Sequence, residues 1–291
     1  MSVAASETPA RPSRWRRWRQ LLPNHWQILG LVCLIVAYEA FAWWVFTDNP
    51  KRADRMFPRI EYVATVSFPE FATYYGFDEG LLGYRQNVGQ ALMVLFENAL
   101  VTIRRLVIGL VAGIGVGVGV GLLVGMSRWA RDVVLPPVLL LRTIPILALI
   151  PLFMFWFGAR EIGILIFVAF AVFSMMIVNT LEAIRNVPPI YRDYARCMGA
   201  TQRQVYRTVI MPAILPSLNG GIRVILGLSF AIVLAGELLA TDSGLGWLMI
   251  LSERFFMIGR IVVIVVIFVI LSLILNGLYL AASRYVNRWV P

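Results

Sequence analysis

No feature constrains this chain more than the recurrence of apolar runs about as long as a bilayer is thick. One crossing needs roughly 20 consecutive apolar residues. In lipid the backbone must satisfy its own hydrogen bonds, which leaves a helix as the form such a run takes. Runs of this kind cover about 26–46, 95–126, 133–157, 162–181, 216–240 and 257–285, the second of them led in by an amphipathic stretch from Val88. Composition agrees: 59% of the residues are hydrophobic and 14% charged, against about half and a quarter in a soluble domain. The sequence therefore predicts an all-α polytopic membrane protein with six transmembrane helices.

The net charge of +10 does not point to nucleic acid. The basic residues sit in short segments beside the apolar runs, and a Lys/Arg bias of that kind sets membrane orientation. One side holds Arg11, Arg14, Arg16, Arg17, Arg19, Arg128, Arg131, Arg185, Arg192, Arg196, Arg203, Arg207, Arg284 and Arg288, while the short loops on the other hold Arg160 and Arg254. Both termini are thus expected in the cytoplasm and the chain in the cell's inner (plasma) membrane. Residues 1–24 form a basic tail whose alternating Arg and Trp suit a headgroup layer of anionic membrane lipid. Residues 25–47 read as a retained anchor, being too long for a removable leader. Residues 48–94 form an extracytoplasmic segment with its lead-in, 95–285 the core, and 286–291 a cytoplasmic end.

Charges inside the runs are costly and so are paired or functional. Arg104, Arg105, Arg142, Arg223 and Arg260 outnumber Glu39, Glu97 and Glu237, an excess that favours an anionic or electron-rich solute if these side chains line a pathway. Arg142, Arg223 and Glu237 are the pathway candidates. The competing reading is internal pairing, for example of Arg223 with Glu237, and for Glu39 a helix–helix contact. Cys33 and Cys197 match no metal spacing and are read as packing residues. With His25 the sole histidine, neither a catalytic site, a metal site nor a cofactor is expected. A membrane enzyme would need a clustered nucleophile and base; a channel or secondary carrier would need no docking surface.

Two local patterns carry more. Gly109, Gly113, Gly117, Gly121 and Gly125 recur every fourth residue, with Gly115 and Gly119 between them. Side-chain-free positions at that period allow a neighbouring helix to approach closely. The other is the polar, basic stretch 182–217. Pro188 and Pro189 suit a helix start, and Ile190, Tyr194 and Met198 then fall on one face. Gly199 can close the helix in the left-handed conformation, and Thr201 with Gln204 forms a capping box for a second short helix. Pro212 and Pro216 are expected to break or bend the chain before the fifth run. Prolines 136, 137, 145 and 151 interrupt the third run, and 241–256 reads as a loop.

Asp193-Tyr194-Ala195, three residues, Gly199, nine residues, then Val209-Ile210-Met211-Pro212 resembles the Glu-Ala-Ala loop of ATP-binding-cassette importer permeases. Thr102-Ile103-Arg104-Arg105, Arg142-Thr143-Ile144-Pro145, Gly221-Ile222-Arg223, Ala235-Gly236-Glu237 and Asp242-Ser243-Gly244-Leu245-Gly246-Trp247 extend the likeness, which is nearest to the nitrate, sulfonate, taurine and bicarbonate branch. The resemblance implies a type I importer permease, not itself an enzyme, that forms the path for a small solute. It implies a second permease subunit, giving a dimer, an extracytoplasmic substrate-binding protein, and separate ATPase subunits. Lys51, the only lysine, follows a proline, so the sequence holds no G-x-x-x-x-G-K-[ST] phosphate loop. By the same resemblance the stretch 182–217 is the ATPase-coupling loop, with Tyr191, Asp193, Tyr194, Ala195, Gly199 and Pro212 as its coupling residues.

Overall fold

The computed structural model describes residues 25–48, 57–73 and 88–286, and every element among them is helical. The Arg/Trp tail, parts of the expected extracytoplasmic segment (49–56 and 74–87), and residues 287–291 with Arg288 lie outside the described residues. The chain divides into two compact units, 1–62 and 63–291.

The first unit contains helix α1 (His25–Asp48). Its 24 residues rise roughly 36 Å, enough for a crossing. The chain after it folds back on the same unit. Tyr38 donates its hydroxyl to the Pro58 carbonyl at 2.8 Å, and Phe57 meets Phe41 edge-on at 5.2 Å. Glu39 accepts the backbone N–H of Ile60 at 3.3 Å, at the start of a helical turn Ile60–Tyr62. That contact is a backbone cap within the first unit.

The second unit is built on α2 (Val88–Met126) and α5 (Glu161–Arg185). At every fourth residue α2 presents a glycine, and α5 answers at the same period. A Cβ on Gly109, Gly113, Gly117, Gly121 or Gly125 would come within 2.4 to 2.7 Å of Val168, Ala169 and Val172, Met176, Thr180 or Ile184, respectively. Gly115 and Gly119 have nothing within 4 Å, so only the five-membered row belongs to the contact. The glycine period thus produces the close helix–helix approach that it predicts.

Between these two helices the chain makes α3 (Arg128–Thr143) and α4 (Ile150–Phe157). Pro136 and Pro137 lie inside α3 without ending it. The break comes at Pro145: Ile144 is forced to an extended conformation (φ −75°, ψ 128°), as a residue before proline tends to be. The two pieces meet at 89°. The expected third crossing is therefore a cornered pair, with one decisive proline and not four.

After α6 (Pro189–Cys197) and the short α7 (Gln202–Val205), a π turn at Tyr206–Ile210 leads directly into α8 (Met211–Ala240). This corrects two expectations: α7 is the foot of the fifth long helix, and Pro212 and Pro216 do not interrupt it. Pro212 falls at the start of α8, where its missing N–H costs least, just beyond a turn whose register is already shifted. Met211 N–H reaches back to the Tyr206 carbonyl there. The expected loop at 241–256 is also corrected, because only 241–244 and the turn at 255–256 are irregular. Helix α9 (Leu245–Arg254) follows, and then α10 (Ile258–Val286).

Among the described residues, four helical stretches (Val88–Met126, Glu161–Arg185, Gln202–Leu239 and Ile258–Tyr285) are long and apolar enough to cross a membrane, and the cornered pair is a fifth if its two arms form one span. The main core gathers Leu106, Phe167, Val172, Met176, Ile210 and Ile214 around α5. A second cluster joins Phe71, Val94, Leu95, Leu245, Leu248 and Ile264, tying the segment 63–73 and α9 to α2 and α10.

Candidate functional site

The hairpin α6–α7 is fixed by local chemistry. Pro189 starts α6 near its first position. Gly199 takes φ 82°, its N–H bonding the Arg196 carbonyl at 2.9 Å while Ala200 N–H bonds that of Ala195 at 3.0 Å. That pair of bonds is the Schellman closure. Thr201 and Gln204 then exchange both bonds of a capping box, the Gln204 side chain accepting Thr201 N–H at 2.8 Å. Arg196 donates to the Gln202 side chain at 2.8 Å across the turn. Tyr206 donates its hydroxyl to the Gly125 carbonyl, pinning the foot of the hairpin to the end of α2.

One face of α6 is seated: Ala195, and Ala200 of the turn that follows it, pack on the main core. The opposite face is bare. Ile190, Tyr191, Tyr194 and Met198 are 58–73% exposed, and Asp193, Gly199 and Pro212 are exposed as well. Of the six sequence-predicted coupling residues, Tyr191, Asp193, Tyr194 and Gly199 therefore lie on the exposed hairpin. Ala195 faces the core, and Pro212 lies beyond the π turn, at the start of α8. Cys197 and Cys33 are free and exposed, not packing residues. Cys197 is the last residue of α6, and Cys33 lies within α1.

The three pathway candidates do not come together. The Arg142 side chain lies outside the described residues. Arg223 and Glu237 stand on the same helix, roughly 21 Å apart by its rise, so the expected Arg223–Glu237 pair is corrected. Among the described residues Arg223 is exposed and meets no carboxylate. Glu237 is fully buried and pairs with Arg105, whose Nη1 donates to it at 2.9 Å.

Around that pair α2 presents Asn98, Thr102 and Arg105 on one face, and all three grip the turn between α8 and α9. Thr102 donates to Glu237 at 3.0 Å and accepts Leu245 N–H at 3.0 Å. Asn98 accepts Gly244 N–H at 2.8 Å. Arg105 also reaches the Ser243 carbonyl at 2.8 Å and its hydroxyl at 2.9 Å. Gly246 N–H donates to Glu237 at 2.9 Å. The glycines have a steric reason here: Gly244 sits at φ 102°, and a Cβ there would lie 2.4 Å from the Glu237 carboxylate. Sequence reasoning quoted both halves of this network but joined neither to the other.

Two more of the arginines are likewise paired. Arg104 bonds Glu161 at the start of α5. Arg260 bonds Glu70 at 3.1 Å and lies over the Phe71 ring at 5.5 Å. Of these arginines, Arg223 is thus the one that meets no carboxylate among the described residues.

Solved structures of ATP-binding-cassette importers share this build. An alginate importer matches with a TM-score of 0.56 at 14% identity, covering 84% of this chain and 98% of that one. A methionine transporter, MetNI, matches at 0.54 and 20% identity, covering 69% and 97%. The fold class is thus that of an importer permease. The family described as binding-protein-dependent transport system inner membrane component matches residues 109–290, and the chain belongs to it, as a multi-pass protein of the inner membrane. Relatives include a putative ABC transporter permease of Methanocaldococcus jannaschii, 28% identical over 253 residues and covering 86% of this chain and 87% of that one. A putative aliphatic sulfonates permease, SsuC, of Bacillus subtilis is 29% identical, and the taurine permease TauC of Escherichia coli 27%; each covers 67% of this chain and 71% of the relative. These two support the sulfonate and taurine branch.

Proposed function

We infer that this chain is the pathway-forming subunit of an ATP-driven importer for a small sulfonate-like anion, and that the hairpin α6–α7 receives the ATPase. The observation that carries the reading is the exposed face of α6: an aromatic and apolar stripe held outside the core by a helix whose other face is seated. Exposed apolar side chains in contiguous patches mark interaction sites. With α1 as the first crossing the spans number six, both termini and the hairpin face the cytoplasm, and residues 95–285 form the permease core. Two copies enclose one path, and a binding protein delivers solute from the far side. ATP-driven closure of the ATPase pair moves the hairpins, and the two halves rock between inward- and outward-open states. The sulfonate and taurine permeases among the relatives support the solute class, as do Arg142 and Arg223.

The test replaces Gly199. Nothing lies within 4 Å of a Cβ there, so any effect is conformational and not steric. A left-handed position costs an ordinary residue roughly 1–2 kcal/mol, and a β-branched one more. Gly199→Val is expected to lower both ATPase co-purification and ATP-driven uptake of taurine or an alkanesulfonate into proteoliposomes. Gly199→Asn, which tolerates that conformation, is expected to keep both. Undiminished association and uptake in the valine variant defeat the coupling role. For the solute, Arg223→Gln is expected to weaken uptake of the sulfonate, read as a raised KM; an unchanged KM removes Arg223 from the path.

A further inference from the structure

A cavity of about 370 Å³ opens where α2 ends, between α3, the last turns of α5 and the start of α6. Its walls change character along their length. On α3, Leu139, Leu135 and Arg131 follow at four-residue steps on one face; on α5 Val178, Leu181 and then Arg185 follow at steps of three and four, also on one face. Over roughly 12 Å of helix rise, both walls pass from aliphatic to guanidinium. Arg192 of α6 adds a third guanidinium at the charged end, where Glu182 is the single carboxylate. Arg131 donates to the Gly125 carbonyl at 3.2 Å and Arg192 to that of Val187 at 3.4 Å. Each guanidinium carries five N–H donors in a fixed fork, so these bonds orient the arginines and leave donors for a ligand.

The geometry points to a binding site for an anionic phospholipid, the phosphate on Arg131, Arg185 and Arg192 and the upper acyl chain along Leu135, Leu139 and Val178. Three guanidinia against one carboxylate select an anion, and forked donors match phosphate oxygens. The graded wall selects an amphiphile over a soluble phosphate, because a free anion has no use for the aliphatic half. Basic pockets between membrane helices at the charged end of their spans hold lipid headgroups for this reason. The site abuts the foot of α6, so its occupant braces the hairpin, but binding itself does not depend on whether the hairpin meets an ATPase.

The permease, purified in detergent with its ATPase and stripped of lipid, is offered mixed micelles of dioleoylphosphatidylglycerol or dioleoylphosphatidylcholine, and retained lipid is counted by native mass spectrometry. Phosphatidylglycerol is expected to be retained well above phosphatidylcholine. Arg185→Gln removes a charge-assisted contact and is expected to weaken that retention about tenfold. Leu139→Trp narrows the aliphatic half with every charge in place and is expected to reduce it as well. Lipid held elsewhere on the protein cancels in the comparison with the wild type. Equal retention of the two lipids overturns the proposal, as does unchanged phosphatidylglycerol in the two variants. Full displacement by millimolar inorganic phosphate also overturns it, since the site then belongs to a soluble anion.

Discussion

Glu237→Gln is expected to destabilise the detergent-solubilised protein by about 3–5 kcal/mol, the cost of leaving one member of a buried ion pair without its partner. The expectation is strong because Arg105 is 2% exposed and has no route to water when its counter-charge goes. The turn at 243–246 loses its anchor at the same time, because the carboxylate accepts Gly246 N–H as well as Arg105 and Thr102. Arg105→Leu should cost a similar amount. The double replacement Arg105→Leu/Glu237→Gln should cost less than the sum of the two, since neither charge is then left buried without its partner. Thr102→Val, which removes one neutral donor, should cost about 1 kcal/mol. Thermal unfolding of the four variants, followed by tryptophan fluorescence, checks the order. A Glu237→Gln protein that melts with the wild type would show that the pair does not bear on stability.

The second large effect is expected on the glycine row. In Gly113→Leu the new Cβ lies 2.6 Å from the Ala169 carbonyl oxygen and 2.6 Å from Val172 Cβ. A backbone atom cannot swing aside as a side-chain tip can, so α2 and α5 must separate. Overpacking typically costs about 1–3 kcal/mol, and a clash against backbone belongs at the upper end or beyond. Gly115→Leu is the control: it sits two residues further along the same helix with nothing within 4 Å, and leucine is the better helix former. The first variant should lose both melting temperature and monodisperse elution, and the second should keep both. Equal tolerance of the two would mean that α2 and α5 do not meet through the glycines.

What the sequence disclosed follows the range of the interactions. The Gly199 closure and the Thr201–Gln204 box were legible because all their atoms lie within a few residues of one another. The glycine row was legible as a period, although its partner helix was not. The Arg105–Glu237 tie joins positions 132 residues apart; each end could be named, but a charge within a span does not declare its partner. Glu237 was therefore read as a pathway candidate, whereas the fold encloses it. Proline shows the same limit within one run. Pro136 and Pro137 sit quietly in α3 and Pro145 turns the chain through a corner, and only the surroundings distinguish them. Helix α9 was missed because it follows an Asp-Ser-Gly opening that reads as irregular, while its hold on Phe71, Leu95 and Ile264 is tertiary. On α6 the period places Ile190, Tyr194 and Met198 on one face, and the fold leaves that face exposed, whereas a small residue such as Ala195 suits either side and here packs on the core.

The glycine row also bears on how force passes through the molecule. Helix α5 ends only a few residues before α6 begins, and over its length it lies nearly backbone to backbone with α2. Two rods joined at five points resist shear and bending far better than either alone. Under the coupling role proposed for the hairpin, a push there is expected to be taken up little by flexure, so that the pair swings as one stiff unit and carries Arg105, and with it the turn beyond α8, at its far end.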